Sequence, residues 1–188
     1  MNIVVKTAAG KYIVRPDTTW ERDNEDVYLP EFVDEVSYSP VLFARISKPG
    51  RSVGEEFAER YYDGIGYGVL LYPENMIDGT AEGFACASCL DHTSFLPFPV
   101  YNKITLGREG NVFELKADGK SIFSYNSGNA GMIRKAIAEA TRYIYIRTGD
   151  ILAIELDSRK HLCSRQDKPL QLYGSYCDNF ALDFKIIL

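Results

Sequence analysis

Apolar and polar positions along this chain follow two periods, and the changes between them mark its elements. Residues 11–14 read as a short strand after the turn at Ala9-Gly10, and residues 17–26 as a polar, acidic, exposed loop. Residues 41–46 are a mainly apolar run rich in β formers, which predicts a strand buried on both faces. Lys48-Pro49-Gly50 is a turn, and Ser52-Val53-Gly54-Glu55 has the spacing of a capping box, with Ser52 as N-cap of a short helix running through Tyr62. Phe57 and Tyr61 would share one face of that helix, Gly64 would end it, and residues 65–72 return as a strand stopped by Pro73. Residues 75–99 show no period, as expected for the wall or lid of a site.

The second half is more regular. Residues 112–116 and 121–125 form a predicted hairpin around Asp118-Gly119. Met132, Ile133, Ala136, Ile137 and Ala140 make one stripe of a helix over residues 130–143. Thr148-Gly149-Asp150 turns into a strand over 151–156, residues 157–170 read as a charged surface excursion, and the chain ends in a strand. In that strand Leu182, Phe184, Ile186 and Leu188 alternate with Asp183, Lys185 and Ile187. No repeat or linker divides the chain, so residues 1–188 read as a single α+β domain, large enough for a substantial core.

Composition narrows the function classes. Aromatic residues make up 13% of the chain, with 13 Tyr and 10 Phe, and this favours β-rich packing. A net charge of −5 offers no basic footprint for nucleic acid. No apolar run has the length of a membrane span, and residues 1–6 lack the pattern of a signal peptide, so the expected setting is the cytoplasm, with Cys86, Cys89, Cys163 and Cys177 as reduced thiols.

The candidate chemistry is sparse. Cys86-Ala87-Ser88-Cys89 could complete a tetrahedral zinc site with His92, or with His161 and Cys163. Against that, no second tight ligand pair accompanies it, and thiols are common core residues. His92, in the irregular segment, is a candidate general base; His161, in a charged stretch, reads as a surface residue. Acidic clusters at Glu21, Asp23, Glu25 and Asp26, and at Asp34-Glu35, read as solvated surface, and Glu55-Glu56 suits a helix N-terminus. No nucleophile elbow, phosphate loop or dinucleotide fingerprint is present.

The order of segments carries more than any one of them. Arg15-Pro16-Asp17-Thr18, Leu29-Pro30-Glu31-Phe32, Arg60-Tyr61-Tyr62-Asp63 with Gly68, Leu90-Asp91, Phe113-Glu114-Leu115 with Asp118-Gly119-Lys120, Met132, and Thr148-Gly149-Asp150 follow one another at familiar spacing. In this the chain resembles the fumarylacetoacetate hydrolase family, in the style of its short bacterial hydrolases and isomerases. The resemblance implies an α+β fold on a rolled mixed β-structure, commonly a homodimer. It also implies hydrolysis, decarboxylation or isomerisation of β-diketo and related keto acids (fumarylacetoacetate, acylpyruvate or 2-hydroxyhepta-2,4-diene-1,7-dioate) assisted by Mg, Mn or Ca.

Carried over residue by residue, the resemblance implies a vestigial pocket. The family's metal segment, approximately His-Tyr-Glu-x-Glu-Leu, reads Ser37-Tyr38-Ser39-Pro40-Val41-Leu42 here. Tyr38 and Leu42 agree, but Ser39 and Val41 replace the two glutamates. The third ligand, an aspartate on the next strand, falls on Leu70, or on Tyr72 with a two-residue slip. The catalytic lysine falls on Ser88, three before Asp91; the Arg-Asp pair becomes Glu74-Asn75, and the Thr-Gly-Thr-Pro loop becomes Ala153-Ile154-Glu155-Leu156. The N-terminal lid has no match in residues 1–14. Two function classes follow from these departures. One is a binding or assembly protein without metal, catalytic residues or cofactor, working as a homodimer or as a heteromer with an active relative. The other is an active hydrolase or isomerase with a site rebuilt from Glu74, Asp91 and His92.

Overall fold

The structure is a computed structural model that describes residues 1–126 and 128–188. Two mixed sheets form the frame. The first contains β1 (Asn2–Lys6), β2 (Tyr12–Pro16), β3 (Trp20–Glu21), β5 (Glu35–Ile46), β6 (Tyr62–Pro73), β7 (Ser94–Phe95), β10 (Ile151–Glu155) and β11 (Lys160–Ser164). Its order is β2-β1-β10-β5-β6-β7-β3, with β11 pairing the start of β5. The second sheet runs β4 (Val27–Tyr28), β13 (Asn179–Ile187), β12 (Leu170–Tyr176), β8 (Val112–Ala117), β9 (Lys120–Asn126). Helices α1 (Ala81–Ala87) and α2 (Ala130–Ala140) complete an α+β arrangement on curled, mixed β-structure, as the residue pattern predicts. Among the described residues no helix is long and apolar enough to cross a membrane.

The long antiparallel pair β5–β6 is the spine, and its two faces have different neighbours. Tyr38, Leu42, Ala44, Ile65, Tyr67, Val69 and Leu71 point into the main core, where Ile133, Ala136 and Ile137 of α2 and Phe113, Leu115 and Phe184 of the second sheet meet them. Val41, Phe43, Leu70 and Tyr72 point the other way, into a smaller cluster with Ile3, Val5, Ile151 and Ala153. Both faces are buried over most of the pair, so Pro40–Ala44 and Val69–Tyr72 read as continuous apolar sequence, while Ser37 and Ser39 are polar residues buried near the start of β5.

Several local expectations are corrected. Ser52 does not cap a helix: its φ is 51°, its N–H donates to the Thr141 carbonyl at 2.9 Å, and the Val53 N–H donates to Thr141 Oγ1 at 3.0 Å. The segment is tied to the end of α2, and the helix beyond it is a 3-10 helix over Glu55–Tyr61 behind Gly54. The stretch 157–170 is not only a surface excursion, because it supplies β11. The irregular stretch 75–99 holds α1, whose first turn is capped by Thr80 Oγ1 accepting from the Gly83 N–H at 3.0 Å. Within the expected exposed loop 17–26, Thr19 and Glu21 are buried and β3 forms. The hairpin does turn at Asp118 and Gly119, both at positive φ (46° and 78°), which suits a two-residue turn between twisted strands.

Glycines 64, 66 and 68 alternate along β6 on the second face, and their missing side chains admit neighbouring groups. A Cβ on Gly66 would collide with the Phe43 ring, and one on Gly68 with the backbone carbonyl of Phe95. The first collision can be relieved by a side-chain shift; the second needs β7 to move. Gly68→Ala is therefore expected to lower stability by about 1–3 kcal/mol. A denaturant midpoint that falls at unchanged slope is the expected result, and an unchanged midpoint would show that β7 yields freely.

Candidate functional site

Register brings together the positions that the resemblance aligns with metal ligands. In the β5–β6 ladder Ser39 faces Leu70, Ser37 faces Tyr72, and Val41 faces Gly68. Ser39, Val41, Leu70 and Tyr72 therefore share the second face of the sheet, all with 0% exposure. Tyr38 lies on the opposite face, and its hydroxyl donates to the Ile122 carbonyl at 3.2 Å.

This face holds a buried cation. Arg15 on β2 has no exposed surface. Its Nη1 donates to the Thr93 carbonyl at 3.0 Å and to Ser94 Oγ at 2.7 Å, and its Nη2 donates to the Leu71 carbonyl at 2.7 Å. Its Nε makes no hydrogen bond, and its Cζ stands 4.7 Å from the centre of the Tyr72 ring. Burial lowers the guanidinium pKa, and Tyr72 and Glu155 oppose that shift. Main-chain dipoles and the negative face of the ring thus solvate a charge that would otherwise be costly to bury.

Tyr72 is fully buried against this cation. Its hydroxyl donates to Glu155 Oε1 at 2.7 Å, and burial pushes its pKa upward, so it is a neutral donor at physiological pH. Glu155 Oε2 in turn accepts from the Ala8 N–H at 2.8 Å, tying the turn after β1 to the end of β10. The Phe84 ring of α1 stacks on Tyr72 at 5.7 Å and 15°. The Arg159 guanidinium lies 5.4 Å from the Tyr72 ring and 5.3 Å from Phe84.

The remaining sequence-derived residues are dispersed. Glu74 accepts from Ser37 Oγ and lies 3.9 Å from Arg159 Nη1. Asp91 is exposed. His92 is exposed as well, its Nδ1 3.2 Å from Glu21 Oε2. Ser88 is buried at the end of α1, where its Oγ donates to the Phe84 carbonyl at 2.8 Å. Cys86 and Cys89 are exposed at that same helix end. Among the described residues, no three His, Cys, Asp or Glu side chains are grouped to hold a metal ion.

The resemblance quotes Arg15 and, in the segment aligned with the Thr-Gly-Thr-Pro loop, Glu155, without giving either a role in the site; Phe84 and Arg159 are not anticipated. Arg15 lies just past the strand predicted over 11–14 and inside the observed Tyr12–Pro16, and a charged residue closing the apolar run Tyr12-Ile13-Val14 was the available signal. Nothing in residues 157–159 marks Arg159 as lying beside Tyr72.

The curled mixed sheets, with these four positions on one face, define the class: an α+β protein with the fold of the fumarylacetoacetate hydrolase family. A protein assigned to that family from Yersinia pestis CO92 superposes with a TM-score of 0.82 at 15% identity, covering 99% of this chain and 92% of that one. Fumarylpyruvate hydrolase from Pseudomonas aeruginosa, in complex with Mn2+ and pyruvate, gives 0.81 at 14% identity over 100% of this chain and 90% of that one. A 5-carboxymethyl-2-hydroxymuconate delta-isomerase from Mycobacterium smegmatis gives 0.75 at 14% identity over 99% and 78%. No family profile matches the chain, and no curated protein matches it.

The thiols differ in a way that can be read directly. Cys163 is buried, and burial pushes its pKa up to about 12, whereas Cys86 and Cys89 are exposed. Thiolates are the reactive form. Iodoacetamide at neutral pH is expected to alkylate Cys86 and Cys89 in the native protein and Cys163 only after unfolding, as read by peptide mass spectrometry. Native labelling of Cys163 would contradict its placement.

Proposed function

We propose that this chain is a fumarylacetoacetate-hydrolase-like protein that does not run the family's metal-dependent reaction and serves as a binding or assembly protein. One observation carries the proposal: the face where the family would hold its cation is packed with Ser39, Val41, Leu70 and Tyr72, with Arg15 behind the Tyr72 ring. Mg, Mn and Ca need several hard oxygen ligands, mostly carboxylates and water. The oxygens on this face are the Ser39 hydroxyl, buried without a hydrogen bond, the Ser37 hydroxyl, donating to Glu74, the Tyr72 phenol, donating to Glu155, and the single carboxylate of Glu155, whose two oxygens are taken by Tyr72 and the Ala8 N–H. A divalent cation beside them would also meet the Arg15 guanidinium. The residues present do not fit the metal.

A homodimer, or a heteromer with an active relative, is the assembly that this reading favours, in the cytoplasm. A second reading has one observation in its favour: structures of the same fold carry hydrolase and isomerase names. It requires a catalytic site rebuilt from residues such as Glu74, Asp91 and His92.

Turnover separates the two readings. With fumarylpyruvate as probe, in the presence of Mg2+ or Mn2+, the enol absorbance is expected to decay no faster with protein than in buffer. Metal-dependent decay that disappears in Glu74→Gln or His92→Ala would establish the rebuilt site and remove the proposal.

A further inference from the structure

Four consecutive residues at the end of α1 are divided between surface and core. Cys86 and Cys89 are exposed, while Ala87 and Ser88 between them are buried, at 0% and 3% exposure. The inward pair is anchored: the Ser88 N–H donates to the Phe84 carbonyl at 3.0 Å, and Ser88 Oγ donates to the same oxygen at 2.8 Å. Residues three apart in a helical turn lie on one side of it, so burying the middle two puts both thiols outside together. We propose that Cys86 and Cys89 are a redox-active dithiol, a modification site that closes to an intramolecular disulfide on reaction with a small disulfide such as oxidised glutathione.

The backbone is already set for that bond. Cys86 and Ala87 are helical, Ser88 has φ −79° and ψ −8°, and the Cys89 N–H donates to the Cys86 carbonyl at 3.0 Å. Helical rise and rotation place α-carbons three residues apart at about 5 Å. That lies inside the range of about 4.4–6.8 Å spanned by disulfides. Closure therefore needs side-chain rotation and no movement of a backbone element. The pair also suffices by itself. A tetrahedral zinc ion needs further ligands, and among the described residues no third His, Cys, Asp or Glu is grouped with these two. The other thiols are poorer candidates: Cys163 is buried, its pKa pushed up to about 12, and burial raises Cys177 as well.

Exchange takes two balanced steps. One cysteine thiolate attacks the small disulfide, forming a mixed disulfide and releasing one small thiol. The second cysteine thiolate attacks the protein sulfur of that mixed disulfide, forming the Cys86–Cys89 bond and releasing the other small thiol. The protein gives up two electrons and two protons, and the small disulfide takes them up as two thiols. Exposed disulfides are the labile ones, so an excess of reducing thiol reverses the bond. Thiolates are most reactive at helix N-termini, whereas this pair closes a helix. The chemistry assigned is accordingly closure of the pair itself and not catalysis of exchange in other proteins. It is independent of whether the chain turns over a keto acid.

Equilibration of the full chain in glutathione redox buffers with EDTA, followed by acid quenching and peptide mass spectrometry, tests the site. The wild type is expected to lose two hydrogens, mapped to a bond between Cys86 and Cys89, without accumulating glutathione adducts on either. Cys86→Ser and Cys89→Ser should each accumulate a glutathione adduct on the remaining thiol of the pair. The effective concentration for ring closure should be at least ten-fold higher in the native protein than in the same chain in urea, because the native turn is preorganised. That comparison needs no variant, so it decides the matter even if a serine variant does not fold. Glutathione adducts persisting on both cysteines of the wild type, a bond to Cys163 or Cys177 instead, or equal effective concentrations in the native and urea-unfolded chain would each overturn the assignment.

Discussion

A guanidinium group with no exposed surface constrains everything on the second face of the main sheet. Arg15 carries a full charge into a region lined by Val5, Val41, Leu70 and Leu96. It is tolerated because its donors end on the carbonyls of Leu71 and Thr93 and on Ser94 Oγ, and because Tyr72 presents a π face to it. Those partners come from β6, β7 and the residue before β7, so the cation binds an otherwise weak edge of the sheet to its spine. Removing the charge would take the guanidinium donor from the Leu71 carbonyl, at a cost of about 1–3 kcal/mol for an unpaired buried polar group, while the Thr93 carbonyl keeps the Leu71 N–H and Ser94 Oγ keeps Thr19 Oγ1.

The same cation explains why the ring at Tyr72 matters. With a carboxylate there, Arg15 would become half of a buried ion pair. With tyrosine, the position is filled by apolar volume, the hydroxyl passes the polar contact outward to Glu155, and Glu155 secures the turn after β1. Arg15, Tyr72, Glu155 and Ala8 therefore form one chain of contacts from the buried face to the surface. Phe84 and Arg159 cover its outer end, which turns a buried site into the floor of a cleft.

Much of the frame was legible in the residue pattern. The run 41–46, the Asp118-Gly119 turn and the Met132–Ala140 stripe each obey a local rule, and the structure follows it. Strand β1 was hidden because Ile3-Val4-Val5 is short and buried on both sides, leaving no alternation to read. Strand β11 was hidden because its residues are largely polar and its existence depends on pairing with the start of β5, a non-local contact. Ser52 misled for a related reason: the local spacing favours a cap, but a hydrogen bond to Thr141 fixes its backbone elsewhere. The face carrying Ser39, Val41, Leu70 and Tyr72 could be anticipated from strand period and resemblance. The contacts of Arg15 and Arg159 with Tyr72 could not, since both arginines reach it from strands or turns distant in sequence.

The central claim is that Arg15 and Tyr72 stand where the fold family's cation would, and that this face offers a metal no adequate ligands. Electron paramagnetic resonance of equimolar Mn2+ tests it most directly, because only free aquo-ion gives the sharp six-line signal. The account predicts the same signal amplitude with and without the protein. Loss of one equivalent of that signal, restored when Tyr72 is changed to Phe, would contradict it.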